Sequence, residues 1–378
     1  MNGTPEPQVS GPVGLRDICP RCLARAVSEG VCLACMFDRR HVEPEPDALQ
    51  PGTVLNGRFF VGLVLGQGGF GITYKCIDLG VDGQDDTRVA IKEYMPTQLA
   101  GRSRATQQVV PRSGKAAEFF KHGLQRFREE AETLASFEHP SIVKVTGYFE
   151  TFGTGYLVMP YLEGITLAQY LDHKGGRIPF TLARDILVPV MDALGHLHRR
   201  NVLHRDVSPD NIYLTLTRRV ILIDFGAARN AIGESTHTVL FKEGYAPLEM
   251  YLGRNQGAFT DIYSLGATLY RACTGLTPPP APQRSQAAVL MPPSRLDPPV
   301  EMSSKAEKAL MKALELESAK RFSSVSAFQL QLFDTQGWPS APQAGAAPIA
   351  QPGLQPTTVI AAVTAVVVLV LVVARYFW

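Results

Sequence analysis

The sequence predicts an α+β protein with two lobes, and the order of its periodic segments carries that reading. After residue 53 come short runs rich in β-branched and aromatic residues, RFFVGLVLG, ITYKCID and RVAIKEY, which read as strands. Long helical patterns follow, LARDILVPVMDALGHLHRR and SSKAEKALMKALELE. Strands first and helices later separate into a strand-rich and a helix-rich part. With 378 residues and 45% hydrophobic content, the chain can bury one large domain and carry accessory segments.

Taken in order, the segments differ in composition. Residues 1–16 are rich in Pro and Gly and are expected to be disordered. They have no basic start and no apolar core, which argues against a cleaved secretory signal. Residues 17–41 hold four of the six cysteines, and 42–53, with EPEPDALQPG, reads as a linker. The main domain is expected over 54–333, followed by a Pro/Ala/Gly-rich tether over 334–356. The final segment, 357–378, has one charge, Arg375, in an otherwise apolar run. It provides about 20 residues, enough for one membrane-spanning helix, and its terminal Tyr-Phe-Trp suits an interface. The competing reading of that segment is a buried strand or core helix. A formal charge of +2 argues against a large nucleic-acid surface.

The first motif is Leu65-Gly66-Gln67-Gly68-Gly69-Phe70-Gly71-Ile72-Thr73, a G-x-G-x-x-G pattern. Glycine allows backbone amides to close over phosphates with no side chain in the way. A dinucleotide fingerprint needs a strand–turn–helix unit. Here ITYKCID follows as a strand, so the loop is expected to be a hairpin lid. About twenty residues on, Val89-Ala90-Ile91-Lys92 places a lysine in an apolar strand. Such a lysine could hold the α- and β-phosphates, given a carboxylate to position it. The following helix offers Glu129, Glu130 and Glu132. Glu130 lies ten residues before Pro140 and one turn before Leu134, and is the expected partner.

Two further motifs supply the chemistry, Leu203-His204-Arg205-Asp206-Val207-Ser208-Pro209-Asp210-Asn211 and Ile221-Leu222-Ile223-Asp224-Phe225-Gly226. Asp206 can accept a hydrogen bond from an attacking hydroxyl and orient it. Asn211 and Asp224 offer hard oxygen ligands for Mg2+. Phosphoryl transfer asks a protein for positioning and charge neutralisation, and these residue types provide both.

With LGQGGFGITY, VAIKEYMP, LHRDVSPDNI, GYAPLEMY and DIYSLGATLYRACTGLTPPP in this order, the chain resembles the eukaryotic-type protein kinase family in its bacterial Ser/Thr branch. The resemblance spans about residues 54–333. It implies the two-lobed protein kinase fold, ATP and Mg2+, and protein substrates that include the chain itself. It implies a hinge strand over 156–162, with Met159 as gatekeeper and adenine contacts at the Pro160 carbonyl and the Leu162 amide. Leu65, Thr73, Ala90 and Tyr213 would sandwich the base. Glu249 would pair with Arg321 to brace the activation segment, and Asp261 would anchor the catalytic loop. An ATP-using domain places this part of the chain in the cytoplasm, on a single-pass C-terminal membrane anchor.

The sequence departs from the family pattern at two positions. Ser208 stands where most Ser/Thr kinases have lysine, and Lys242 stands where most have threonine. The departures look reciprocal, so Lys242 is expected to reach in towards the γ-phosphate with Ser208 as its partner; the competing reading is an exposed loop lysine. Ser208 also keeps open a nucleotide-binding pseudokinase scaffold. A small-molecule phosphotransferase is a third reading, opposed by the long activation segment. Arg205 beside Asp206 points to control by loop phosphorylation, with Ser235, Thr236 and Thr238 as candidates. The stretch between Lys92 and Glu130 is about twenty residues longer than a compact kinase needs, basic at first and then helical.

Cys19, Cys22, Cys32 and Cys35 give C-x2-C-x9-C-x2-C, the spacing of two knuckles that together close a tetrahedral Zn2+ site of structural type. Two disulfides are the competing reading, disfavoured in a reducing compartment. Cys76 and Cys273 read as buried small residues.

Overall fold

The computed structural model describes residues 15–42, 45–80, 86–112, 114–225, 241–254 and 256–333. Residues 1–14, Ser235, Thr236 and Thr238, the 334–356 tether and the 357–378 apolar segment lie outside the described residues. Among the described residues, no helix is long and apolar enough to cross a membrane.

The cysteine segment contains a two-stranded ribbon, β1 (Val27–Ser28) and β2 (Val31–Cys32). The small lobe is an antiparallel sheet of β3 (Val54–Leu55), β4 (Phe59–Gly68), β5 (Gly71–Asp78), β6 (Thr87–Tyr94), β9 (Gly147–Thr151) and β10 (Thr154–Pro160), in the order β3-β4-β5-β6-β10-β9. Helix α1 (Lys115–Ala135) covers one face. Its buried residues Phe120, Phe127, Ala131 and Leu134 recur every three to four positions or multiples of that, the period of a helix against a sheet. Glu130 falls on this same stripe and is 8% exposed. Glu129 and Glu132 face outward and pair with Arg126 and Arg128. Periodicity therefore separates the one inward glutamate from its two neighbours.

The long stretch before Glu130 divides into two elements. Its first part folds as a hairpin, β7 (Ala100–Arg102) and β8 (Val109–Pro111), and its second part begins α1. The hairpin places Arg102 on a buried carboxylate: its guanidinium donates to Glu93, next to Lys92 on β6. The same carboxylate accepts from Tyr156 and, at 2.7 Å, from Tyr74. Arg102 also binds the Asp47 carbonyl at 2.8 Å, and the Leu49 amide donates to Tyr74 at 3.0 Å. The segment read as a linker is thus fastened to the small lobe by residues 47 and 49, which the composition of EPEPDALQPG conceals. Removing one member of a buried ion pair leaves the other charge uncompensated. Arg102→Met is accordingly expected to lower stability by about 3 kcal/mol. Urea denaturation of the single variant and of Arg102→Met with Glu93→Gln checks this: the double variant should recover part of the loss.

The large lobe holds α2 (Leu167–His173), α3 (Phe180–His198), α4 (Leu248–Tyr251), α5 (Ala258–Thr274), α6 (Ala281–Arg284), α7 (Ser304–Ala313) and α8 (Val325–Leu332). A small sheet of β11 (Gly164–Thr166), β12 (Ile212–Thr215) and β13 (Val220–Leu222) lies on the cleft side. Helix α5 is buried almost all round, so a charge on it must be paired inside the lobe. One core runs through both lobes, and a second, smaller one joins Ile18, Leu23, Phe60 and Ile77. Cys76 and Cys273 are buried, as read from the sequence.

Candidate active site

The site is a cleft of about 730 Å³ whose roof is the β4–β5 hairpin. Gly66 pairs with Thr73, Gln67 with Ile72 and Gly68 with Gly71, which leaves Gly69 and Phe70 as the turn. The hairpin lid expected in place of a strand–turn–helix unit is what the backbone forms. Its glycines divide into two kinds. A Cβ on Gly71 would sit 2.6 Å from the Glu93 carbonyl oxygen, so the protein itself requires glycine there. A Cβ on Gly66 or Gly68 would meet nothing within 4 Å. The space left open at those two positions borders the cleft and fits phosphate oxygens approaching the backbone.

The base-binding end is lined by Leu65, Thr73 and Ala90 from the roof, Met159, Pro160 and Leu162 from β10 and the chain just after it, and Tyr213 from β12. Met159 is buried at the back and Pro160 is exposed at the mouth. Tyr213 donates to the carbonyls of Gly164 and Leu162, at 2.9 and 3.1 Å, which fixes its ring below the cleft. Tyr161, Val143 and Ile223 also line this end and had not been singled out in the sequence. Tyr161 lies in the 156–162 hinge run and Ile223 directly precedes Asp224, so both sit inside motifs read from the sequence, whereas Val143 carries no local signal.

The catalytic loop is held from beneath by a buried charge. Asp261 on α5 accepts from the His204 amide at 2.9 Å and the Arg205 amide at 2.7 Å. Its other contact is His198 Nε2 at 2.7 Å. Burial works to raise the Asp261 carboxyl, but the His198 hydrogen bond and charge, then His204 and the Arg205 amide, bring it below its ordinary value. His204 donates from Nε2 to the Ile223 carbonyl and accepts the Asp206 amide on Nδ1. Burial lowers the His204 imidazole in spite of Asp261 and Asp206, which favours that neutral tautomer. Arg205 and Asp224 take left-handed backbone angles, φ 66° and 57°, the kind of strain that functional loops hold.

This scaffold brings Asp206, Asn211 and Asp224 to one end of the cleft. Asn211 Nδ2 donates to the Asp206 carbonyl at 2.8 Å and to Asp206 Oδ2 at 2.7 Å. Both amide hydrogens are thereby used, and Oδ1 is left as a hard acceptor in the cleft that Asp224 also lines. Lys92 Nζ donates to Asp224 Oδ1 at 2.8 Å, and Glu130 lines the same part of the cleft. Burial would raise the Asp224 carboxyl, but Lys92, Lys242 and His204 hold it below its ordinary value. An ionised Asp224 and the Asn211 oxygen match the oxygen-donor chemistry that Mg2+ requires.

The reciprocal departures meet. Lys242 Nζ donates to Ser208 Oγ at 2.8 Å and lies 3.2 Å from Asp210 Oδ2, with its ammonium in the same cleft. Asp210 had not been singled out, although it sits inside the catalytic-loop motif. Arg205 lines a small hollow with Phe241, Lys242 and Tyr245. Further out, Arg321 forms two parallel bonds to Glu249, at 2.7 and 2.9 Å, with both side chains buried.

Away from the cleft, the sulfurs of Cys19, Cys22, Cys32 and Cys35 all lie within 4.8 Å of one another. Two of the separations are 3.6 and 3.7 Å. A tetrahedral Zn2+ with Zn–S bonds of about 2.3 Å sets its sulfurs about 3.8 Å apart. A disulfide needs about 2.0 Å, and all four cysteines are free thiols. The donor set therefore fits zinc.

Comparison with known proteins agrees with this geometry. The protein kinase domain family matches residues 59–333. A probable serine/threonine-protein kinase of Streptomyces coelicolor is 32% identical over 230 residues, covering 58% of this chain and 30% of that protein. PknB of Mycobacterium leprae, a serine/threonine-protein kinase, is 40% identical over 162 residues, covering 40% of this chain and 26% of its own length. The chain thus spans about a quarter to a third of the length of these relatives. Among solved structures, the apo form of PpkA-294 superimposes with a TM-score of 0.68 at 33% identity, covering 76% of this chain and all (100%) of that one. The PknI kinase domain of Mycobacterium tuberculosis gives a TM-score of 0.56 at 27% identity, over 75% of this chain and 98% of that one. On the match across its two lobes, the chain belongs to the protein kinase domain family.

Proposed function

We propose that the chain transfers the γ-phosphoryl group of ATP to serine and threonine hydroxyls of proteins, itself among them. The observation that carries this is the convergence of the glycine hairpin, Lys92, Asp206, Asn211 and Asp224 on one cleft. The open glycine positions receive the phosphates from above. Lys92, positioned by Glu130, grips the α- and β-phosphates. Asp206 accepts the hydrogen of the incoming hydroxyl and aims its oxygen in line with the bond to be broken. Asn211 and Asp224 hold Mg2+, which neutralises charge between the phosphates when bound. Lys242, set by Ser208, adds a positive charge at the γ-phosphate end.

The serine/threonine assignment is tested by incubating the full chain with γ-labelled ATP and Mg2+, then hydrolysing the product in acid. Phosphoserine and phosphothreonine are expected, with incorporation lost in Lys92→Met. Label only on tyrosine contradicts the reading.

The accessory segments complete the proposal. Cys19, Cys22, Cys32 and Cys35 hold a structural Zn2+, supported by their sulfur spacing. Arg205 receives a phosphate carried by Ser235, Thr236 or Thr238, a reading supported by its place in the hollow beside the activation segment. Residues 357–378 anchor the chain in a membrane with the kinase domain on the cytoplasmic side, on the strength of their hydropathy.

A further inference from the structure

The cysteine segment is built onto the nucleotide lid. Cys19-Pro20-Arg21-Cys22, the first knuckle, lies along β4, the strand that runs on to Gly66 and Gly68. The Leu63 amide donates to the Pro20 carbonyl at 3.0 Å, just beyond the Val61 amide, which donates to Thr53 at 2.8 Å. The knuckle thereby continues the outer edge of β4 where β3 ends. A Cβ on Gly62 would collide with the Pro20 carbonyl oxygen and lie 2.9 Å from Leu23 Cδ2, so glycine at 62 allows this close approach. Ile18 and Leu23 of the segment share a small core with Phe60 and Ile77 of β4 and β5, separate from the main core.

Two polar links extend the contact. Lys75 on β5 donates to the Arg21 carbonyl at 3.4 Å, and its ammonium lies 4.8 Å from the ring centroid of Tyr161, which lines the cleft. Arg25 forms two bonds to Asp86, at 2.7 and 3.0 Å, immediately before β6. The segment therefore touches β4, β5 and the residue leading into β6, the strands that carry Gly66, Gly68, Thr73, Ala90 and Lys92.

A segment this short cannot bury enough apolar surface to fold alone, so bound metal supplies its ordering energy. We propose that the four-cysteine knuckle is a zinc-dependent brace of the glycine hairpin: zinc loading and nucleotide binding are thermodynamically coupled. This rests on the kinase reading of the cleft. Without metal the knuckle unfolds, β4 loses its edge partner at Leu63, and Phe60 and Ile77 lose their cover. The hairpin then has more conformations to give up when nucleotide binds, and affinity falls.

Coupling of this kind is reciprocal, which makes it measurable from both ends. The full chain is assayed for binding of a non-hydrolysable ATP analogue with Mg2+, zinc-loaded and zinc-stripped. Its zinc affinity is then measured against a competing chelator with and without the analogue. Both are expected to change by the same factor, about 5-fold or more. Ile77→Glu removes the shared core while leaving the four cysteines and every cleft residue in place. It is expected to keep zinc and to lower the factor towards one, and the zinc-affinity measurement reads this even if the stripped chain aggregates. A chain that binds no zinc overturns the proposal. So does one whose analogue binding ignores zinc, or whose coupling is undiminished by Ile77→Glu. Failure of the kinase reading is a separate result: the zinc-loaded chain then transfers no phosphate from ATP.

Discussion

Lys242→Ala is expected to lower kcat by about 10²- to 10³-fold while leaving the KM for ATP within about two-fold. The ammonium is placed by Ser208 at 2.8 Å and Asp210 at 3.2 Å, and it faces the end of the cleft that holds Asp206 and Asp224. A fixed cation there gains most when negative charge spreads over the transferring phosphoryl oxygens. Its loss should therefore appear in turnover rather than in ground-state binding. The reciprocal swap sharpens the test. Ser208→Lys with Lys242→Thr restores the cation from the opposite side and should retain more activity than either single change. Near-normal kcat in Lys242→Ala shows that the lysine serves only the loop.

The second large effect is on stability. Arg321→Ala is expected to cost about 3–5 kcal/mol, because it strands the Glu249 carboxylate inside the large lobe. Both side chains are buried, and Arg321 also donates to the carbonyls of Phe259, Glu315 and Leu316. Thr260 adds a bond to the same carboxylate at 3.0 Å. The loss should lower Tm by roughly 5–10 °C in a thermal melt. Arg321→Lys should recover only part of it, since a single ammonium cannot make two parallel bonds. An unchanged Tm in Arg321→Ala contradicts the bracing role assigned to this pair.

Much of the site was legible because phosphate chemistry constrains both residue type and spacing. The glycine pattern, Lys92, Asp206, Asn211 and Asp224 are readable as a linear series, and the cleft brings them together. Glu130 was legible through periodicity, since a helix that packs on a sheet can turn only one of three neighbouring glutamates inward. The pairing of Lys242 with Ser208 was legible as two compensating departures from a pattern.

Other features depend on tertiary contacts that leave no local signature. Glu93 reads as an ordinary strand residue, and only the fold brings Arg102, Tyr74 and Tyr156 to it. Residues 45–53 have the composition of a linker, yet Asp47 and Leu49 are tied down by groups far along the chain. The docking of the cysteine knuckle was equally hidden. The cysteine spacing points to a metal, but Gly62, Phe60 and Ile77 reveal their role only once β4 and β5 lie beneath the knuckle.

The central claim is phosphoryl transfer at this cleft, and one measurement bears on it directly. The full chain is incubated with γ-labelled ATP and Mg2+, with and without a generic protein acceptor, beside the Asp206→Asn variant. The account predicts time-dependent labelling of the chain or the acceptor, reduced about 100-fold or more in Asp206→Asn. No labelling by the unsubstituted chain, or equal labelling by both, contradicts it.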